Sequence, residues 1–407
     1  MRGKISNSVH YAESRSNPKK TAIGIVAMRS YAVAKSRKGL VDRLVADDKR
    51  VFIGAAVDSS AASLNGRSIQ HQDIPFPQGG LKSGKDIRAA WKLARWFRHE
   101  RIEYVHAIGM KPVLLTGVFM SLGIAPLRGA IATVTGLGTH RQTIKSRIMR
   151  PFLRFSLRQF TRIVFQNSDD FNMFRRHGLA SMEQARLIVG SGVDIHEFSP
   201  KRPKRPGSEG TAPLRVVMIS RLLKSKGIET FGRVARTVKR LDPSVEFHLY
   251  GSHDESHPDA LPLEVLEGLE SLTYMGRSNN VPDTLSACDV FLFPSTYGEG
   301  VPRVVMEAAA MGVPCVAFDV PGVREAICDG ITGFLVPEGQ ERIMTRKIVE
   351  VLQDPDLRKT MGSQARRMAE RHFDIHRITE QYMEEYGAVG LIDAPKSQGE
   401  HGNSSHG

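Results

Sequence analysis

Short apolar runs alternate with longer helical segments along most of this chain. Thr21 to Met28 (TAIGIVAM) and Arg50 to Ala56 (RVFIGAA) are continuous apolar runs separated by a helical segment. Such runs are typical of parallel strands, which helices cover on both faces. The alternation therefore predicts an α/β fold with a doubly wound sheet. We expect further strands in the first half at Glu103 to Ile108, Gly129 to Val134 and Arg162 to Gln166.

The alternation stops once, near the middle of the chain. Residues 199–213 (SPKRPKRPGSEGTAP) are rich in proline and charge and have no apolar periodicity, which indicates a linker. Strands and helices then alternate again, and 407 residues suffice for two domains. We predict a disordered leader (1–20), an N-terminal domain (21–198), the linker (199–213), a C-terminal domain (214–373), a helix that crosses back to the N-terminal domain (374–390) and a disordered tail (391–407).

One joint between a strand and a helix in the C-terminal domain concentrates glycines and carboxylates. The apolar run DVFLF is followed by PSTYGEGVPRVVMEAAAMG, residues 294–312. Gly300 permits a tight turn and Pro302 suits the first position of a helix. Free backbone N–H groups at a helix N-terminus form an anion site. Glu299 on the loop and Glu307 in the helix would reach different parts of one ligand.

Two cations follow the first strand of the C-terminal domain. The segment SRLLKSKG places Arg221 and Lys226 on a loop at the same rim as Glu299. A guanidinium offers parallel donors to phosphate oxygens, and an ammonium acts as a point charge. At about 4 Å and an effective dielectric near 20, each cation–phosphate pair contributes roughly 4 kcal/mol before desolvation. Solvated loop cations are common, but beside the two glutamates this pair indicates a diphosphate site.

Further glycines end neighbouring strands at this rim. Gly251 follows one predicted strand, and Gly276 and Arg277 follow the next. Such glycines either let the backbone approach a base or ribose, or form structural turns, and the sequence leaves both interpretations open.

These residues resemble a known enzyme family. The stretch from PSTYGEG to GITGFLVP, preceded by SRLLKSKG, is similar to the retaining glycosyltransferases of family four. The resemblance covers nearly all of the C-terminal domain and extends to VFQNSDD and GSGVDIHEFSP in the N-terminal domain. It implies a GT-B fold, in which two Rossmann-like doubly wound domains face a central cleft. The chain most resembles bacterial enzymes that build capsule, O-antigen and lipid-linked oligosaccharides.

The resemblance implies a reaction and a role for each site residue. A UDP-linked hexose or N-acetylhexosamine would be transferred to a polyprenyl-diphosphate-linked or glycan acceptor. Glu307 would hold the ribose, and Glu299 would contact the donor sugar. The N–H groups around Gly300 and Val301 would help orient that sugar. The cations would stabilise the leaving diphosphate, so we expect no metal or other cofactor. The residues assigned to the donor site are Arg221, Lys226, Gly251, Gly276, Arg277, Glu299, Gly300, Val301, Pro302 and Glu307.

The N-terminal domain departs from the family pattern. Many members carry a histidine where this chain has Thr135, in the segment VTGLGTH. We treat His106, Thr135, Gly136 and His140 as candidates for the acceptor side. Two alternatives stay open: a nucleotide-sugar-binding protein without transfer activity, and a GT-B phosphorylase or epimerase.

The net charge of +14 predicts an anionic partner. Two predicted helices, near residues 85–101 and 141–162, carry cations at helical spacing beside aromatic residues, which suits either an anionic lipid surface or a solvated face. No nucleic-acid-binding motif occurs, and three cysteines without metal-ligand spacing suggest reduced thiols. We therefore predict a cytoplasmic protein, peripheral on the inner face of the cytoplasmic membrane. The helical cations are Arg88, Lys92, Arg95 and Arg98, then Arg147, Arg150, Arg154 and Arg158.

Overall fold

A computed structural model describes residues 20–64, 68–77, 83–124, 127–138, 146–200, 213–255 and 257–392. The predicted leader (apart from residue 20), most of the linker and nearly all of the tail lie outside these ranges, as does His140. The described residues build two separate parallel sheets, which confirms the α/β prediction.

The N-terminal sheet has the strand order β3-β2-β1-β4-β5-β6-β7, and every neighbouring pair is parallel. Its central strands are buried along almost their whole length, as their continuous apolar runs predict. The strands are β1 (Ala22–Arg29), β2 (Arg50–Ala56), β3 (Ile69–Asp73), β4 (Tyr104–Ile108), β5 (Gly129–Val134), β6 (Arg162–Phe165) and β7 (Ala185–Leu187). The helices are α1 (Ser30–Ser36), α2 (Lys38–Ala46), α3 (Ser83–His99), α4 (Met110–Ser121), α5 (Arg150–Leu157) and α6 (Ser168–Arg176).

The C-terminal sheet repeats this topology in the order β10-β9-β8-β11-β12-β13, again with parallel pairs. Its strands are β8 (Arg215–Ile219), β9 (Glu246–Tyr250), β10 (Thr273–Tyr274), β11 (Val290–Phe293), β12 (Cys315–Phe318) and β13 (Gly333–Val336). The helices are α7 (Ile228–Leu241), α8 (Leu263–Glu267), α9 (Val281–Ser286), α10 (Arg303–Ala310), α11 (Glu341–Gln353) and α12 (Pro355–His372).

Both sheets reverse their strand order at one point, between β1 and β4 and between β8 and β11. In open α/β sheets, ligands bind outside the carboxyl ends of the strands at such a switch point. The loops that follow β8 and β11 carry the two motifs singled out from the sequence. Topology therefore brings both motifs to the usual ligand position of the C-terminal sheet.

The last helix among the described residues, α13 (Ile375–Ala388), packs on the N-terminal domain. Ile378, Tyr382 and Tyr386 are almost fully buried in the same apolar cluster as residues of β1, β2 and β4. Burying one large apolar side chain contributes roughly 2 kcal/mol, so this helix is firmly attached to the N-terminal domain. Within the described ranges, every helix is too short or too polar to cross a bilayer.

Candidate active site

The loops after β8 and β11 touch each other at the switch point. Gly227 has a φ of +78°, and a Cβ at this position would lie 2.0 Å from the carbonyl oxygen of Pro294. Only glycine allows this approach. The Thr296 N–H donates to the Ser225 carbonyl oxygen over 2.9 Å. The two motifs therefore form one continuous rim.

Lys226 lies buried within this rim. Its ammonium pairs with the Glu299 carboxylate and lies 5.1 Å from the centroid of the Tyr297 ring. Burial, followed by the nearby Arg221 guanidinium, lowers the pKa of Lys226. Arg221 itself is exposed on the same loop. The structure thus brings together two cations and one of the two predicted glutamates.

Glu307 lies in the second turn of α10 and is 8% exposed. Burial raises the pKa of its carboxyl group, and the Arg303 guanidinium opposes this shift by donating from Nε to Oε1 over 2.7 Å. Helix α10 begins at Arg303, and Pro302 is its N-cap with φ −61° and ψ 119°. Pro302 therefore lies one position before the predicted one, outside the helix.

The other glycines at the rim differ from one another. Gly251 is buried, and a Cβ there would lie 1.9 Å from the Ser220 carbonyl oxygen. The absence of a side chain at Gly251 therefore lets the end of β9 pack against the end of β8. Gly276 has a φ of +69° with open space around it, and Arg277 is exposed beside it. Of these positions, Gly276 and Arg277 present an accessible surface to a ligand.

The loop after β5 closes directly onto the loop that carries Glu299. The Gly300 N–H donates to the Thr135 carbonyl oxygen over 2.9 Å, and the Gly138 N–H donates to the Gly298 carbonyl oxygen over 3.0 Å. This corrects the expectation that the Gly300 N–H orients the donor sugar, because that donor is engaged with the other domain. The Thr135 side chain is exposed.

Gly136 makes this closure possible. Its φ is +98°, and a Cβ there would lie 2.3 Å from the carbonyl carbon of Glu299. Gly136→Ala should hold the two loops apart. Because small misplacements of reacting groups are costly, we expect the rate of the sugar transfer that the sequence predicts to fall by about 100-fold. Turnover and thermal unfolding of the variant would be measured together.

The matched control for this prediction is Gly123→Ala. Gly123 also has a positive φ, +67°, but a Cβ there meets nothing within 4 Å. Gly123→Ala therefore imposes a similar backbone strain but causes no clash between the two domains. Equal turnover in the two variants would contradict a role for Gly136 in closure.

His106 does not face the cleft, which corrects the prediction that it lies on the acceptor side. It is fully buried in β4, with its ring nitrogens 2.7 Å from the Tyr386 hydroxyl and 2.7 Å from Thr133 Oγ1. Burial, followed by the charge of Arg37, lowers the pKa of His106 well below its ordinary value. A neutral His106 anchors α13 to the N-terminal sheet.

Asn167 is a site residue that the sequence motifs did not single out. Its side-chain N–H group donates to the carbonyl oxygens of Glu299 and Gly300 over 2.9 Å and 3.2 Å. Its Oδ1 meanwhile accepts from the Asp170 N–H and caps α6. The segment VFQNSDD contains a recognisable N-cap, but its contact with the Glu299 loop depends on how the two domains meet.

Two doubly wound domains with cations and carboxylates at the strand ends between them have the architecture of the GT-B fold. Residues 201–368 match the family described as "Glycosyl transferases group 1". That part of the chain belongs to this family, and the chain is an enzyme of the glycosyltransferase class. The resemblance noted from the sequence is confirmed.

Two relatives and one solved structure illustrate the match. The N,N'-diacetylbacillosaminyl-diphospho-undecaprenol alpha-1,3-N-acetylgalactosaminyltransferase of Campylobacter jejuni is 24% identical over 381 residues, 90% of this chain and 98% of the relative. The UDP-Gal:alpha-D-GlcNAc-diphosphoundecaprenol alpha-1,3-galactosyltransferase of Escherichia coli is 24% identical over 282 residues, 66% of this chain and 71% of the relative. HepE of Anabaena, solved with UDP-glucose, superposes with a TM-score of 0.72 at 19% identity, covering 90% of this chain and 99% of HepE.

Proposed function

We propose that this enzyme transfers a hexose or N-acetylhexosamine, with retention of anomeric configuration, from a UDP-sugar to a lipid-linked or glycan acceptor. The observation that carries the proposal is the convergence of buried Lys226, Arg221 and Glu299 at the carboxyl ends of β8 and β11. Such a cluster suits the charge that develops on a departing diphosphate.

The reaction breaks the bond between the sugar C1 and the β-phosphate oxygen. The electron pair stays on the diphosphate, where Lys226 and Arg221 stabilise it. The acceptor hydroxyl forms the new bond to C1, and its proton passes to the departing phosphate oxygen. Because two cations neutralise the leaving group, the proposed reaction needs no metal ion. Glu307 binds the ribose in this scheme, and Glu299 contacts the sugar.

The acceptor is proposed from the relatives. Both reported relatives are named as transferases that act on diphospho-undecaprenol sugars. A UDP-linked donor is supported by the names of the Escherichia coli enzyme and of the HepE complex. Because both relatives are named as transferases, sugar transfer is favoured over the phosphorylase, epimerase and binding-protein alternatives.

Purified enzyme incubated with a panel of UDP-, GDP- and ADP-sugars tests the proposal. We expect UDP release from at least one UDP-sugar, and faster release when a polyprenyl-diphosphate sugar is added. Proton NMR of the product linkage would report the anomeric configuration. Release from GDP- or ADP-sugars alone would exclude the UDP donor, and an inverted linkage would exclude retention.

We further propose that the enzyme is peripheral on the inner face of the cytoplasmic membrane and that α3 contacts the lipid. On its outer face, Ile87 and Trp91 are 64% and 70% exposed. Arg88, Lys92 and Arg95 are exposed at helical spacing beside them. An amphipathic residue such as tryptophan among cations suits the headgroup region of an anionic membrane.

The second cationic helix, α5, supports membrane binding less well. The Arg154 guanidinium donates to the carbonyl oxygens of His177 and Gly178 over 3.1 Å and 3.0 Å, and Arg158 lies over the Phe155 ring. These cations therefore contribute to local packing. Residues 141–145 of the predicted basic segment lie outside the described ranges.

Tryptophan fluorescence can test the contact with lipid. The chain has two tryptophans, and Trp96 is only 4% exposed, so a change in emission reports on Trp91. We expect a blue shift with phosphatidylglycerol vesicles. Arg88→Gln with Lys92→Gln should weaken binding by roughly 30-fold, since each cation contributes about 1 kcal/mol.

The matched control is Arg236→Gln with Arg240→Gln, which removes two exposed cations at the same spacing from α7. This variant should bind vesicles like the unaltered protein. Equal weakening by both pairs would indicate attraction by net charge alone and would contradict docking through α3.

A further inference from the structure

Arg303 joins the two domains at the carboxylate of Glu307. Its Nε donates to Glu307 Oε1 over 2.7 Å. Its Nη1 donates to the carbonyl oxygen of Lys35, in the last turn of α1. One guanidinium therefore contacts both the proposed ribose ligand and a helix end of the opposite domain.

The geometry of these contacts restricts the Glu307 side chain. Arg303 and Glu307 are one turn apart on α10, so their side chains meet on the same face. The guanidinium presents its N–H groups in a rigid planar fork. The Lys35 carbonyl group is one of the last carbonyl groups of α1. Such groups have no hydrogen-bond partner within the helix and carry the negative end of the helix dipole. Because the fork is fixed at Lys35, Glu307 is held in one direction.

The same guanidinium stabilises the ionised form of Glu307. Lys35 also favours the carboxylate, whereas Glu197, from the loop after β7, and burial both favour the neutral acid. From α12, which packs against α10, Arg366 donates instead to the carbonyl oxygens of Ile195, Phe198 and Ala310. Arg303 is therefore a cation in direct contact with Glu307 that opposes the rise in its pKa caused by burial.

We propose that Arg303 is a positioning residue for the nucleotide, which aims the Glu307 carboxylate at the ribose hydroxyls and links that orientation to closure of the N-terminal domain. This inference rests on the proposed function, because it takes Glu307 as the ribose ligand. Arg303 acts through Glu307 and need not touch the nucleotide.

Arg324 offers a matched comparison, because it also bridges the domains without contacting Glu307. Its guanidinium lies 3.3 Å from Asp169 Oδ2 in the N-terminal domain and 2.9 Å from Asp319 Oδ1 in the C-terminal domain. A residue that only holds the domains together should behave like Arg324. A residue that positions Glu307 should not.

Titration calorimetry with UDP across pH 4.5 to 8 tests the inference on the full chain. Binding needs the Glu307 carboxylate as acceptor, so affinity is lost as pH falls through the pKa of that group. We call the loss of UDP affinity at low pH the acid limb of the pH profile. Removing Arg303 raises the pKa of Glu307, so Arg303→Gln should move this acid limb to higher pH. The same change should weaken UDP binding about 10-fold near pH 7. Arg303→Lys keeps a charge beside Glu307 and should restore the position of the limb while affinity stays reduced.

The outcomes separate this inference from the proposed function. If the unaltered enzyme binds UDP and Arg324→Gln leaves the acid limb in place while Arg303→Gln moves it, the inference stands. An unmoved limb in Arg303→Gln, or the same movement in Arg324→Gln, overturns the role of Arg303 while the proposed function survives. If the unaltered enzyme binds no UDP at any pH, the UDP donor of the proposed function fails, and this inference fails with it.

Discussion

Replacing Lys226 by alanine is expected to lower the rate of sugar transfer by about 100- to 1,000-fold. Removing one donor that stabilises developing negative charge in a water-excluded site typically has an effect of that size. Lys226 is 5% exposed and pairs with Glu299, so solvent cannot readily replace its charge. The double change Arg221→Ala with Lys226→Ala should abolish measurable transfer. The measurement is single-turnover transfer from a saturating donor.

Lys224→Ala provides the control for this experiment. Lys224 lies on the same turn but is exposed, so its loss removes a charge from the loop without removing the buried ammonium. Transfer by this variant should stay within about threefold of the unaltered enzyme, as expected for a screened surface charge. Near-normal transfer by the double variant would show that the diphosphate lies elsewhere.

Replacing Glu307 by alanine is expected to weaken UDP binding by about 10- to 100-fold. A hydrogen bond to a charged group contributes roughly 1.5 to 3 kcal/mol, and Glu307 is buried where water cannot easily substitute for it. The change would leave Arg303 with its contact to the Lys35 carbonyl, so the domains stay linked. Calorimetry with UDP measures the effect directly.

Glu299→Ala is the contrasting variant within the same site. Because Glu299 pairs with Lys226, its removal frees an ammonium for the diphosphate, and UDP should bind at least as tightly as before. Transfer should nevertheless fall, since contact with the sugar is lost. Unchanged UDP affinity in Glu307→Ala, or weakened affinity in Glu299→Ala, would contradict the roles assigned to these two glutamates.

Local patterns in the sequence predicted the main strands and the two-domain organisation of the protein. Continuous apolar runs indicate buried parallel strands, and the predicted β5 runs over the observed residues Gly129–Val134. Elements that depend less on burial were predicted less closely. The sequence predicts a strand over residues 272–275, whereas β10 is an exposed pair of residues, Thr273 and Tyr274. At this edge of the sheet, pairing with β9 decides the extent of the strand.

The closeness of Lys226 and Glu299 was predictable for a related reason. Carboxyl ends of neighbouring parallel strands meet at one edge, so Lys226 after β8 and Glu299 after β11 had to lie close together once the strand order was known. Spacing and residue type carried this inference, because both side chains lie on loops whose position the adjoining strand determines.

The sequence by itself determined two α/β domains and the composition of the rim between the loops after β8 and β11, because strand periodicity and the loops at strand ends are local features. Only the tertiary structure decided what crosses between the domains. It buries His106 against α13, engages the Gly300 N–H with Thr135, and sets Arg303 between Glu307 and α1. These contacts join residues far apart in the chain, and their partners follow from how the two domains meet, which no local pattern encodes.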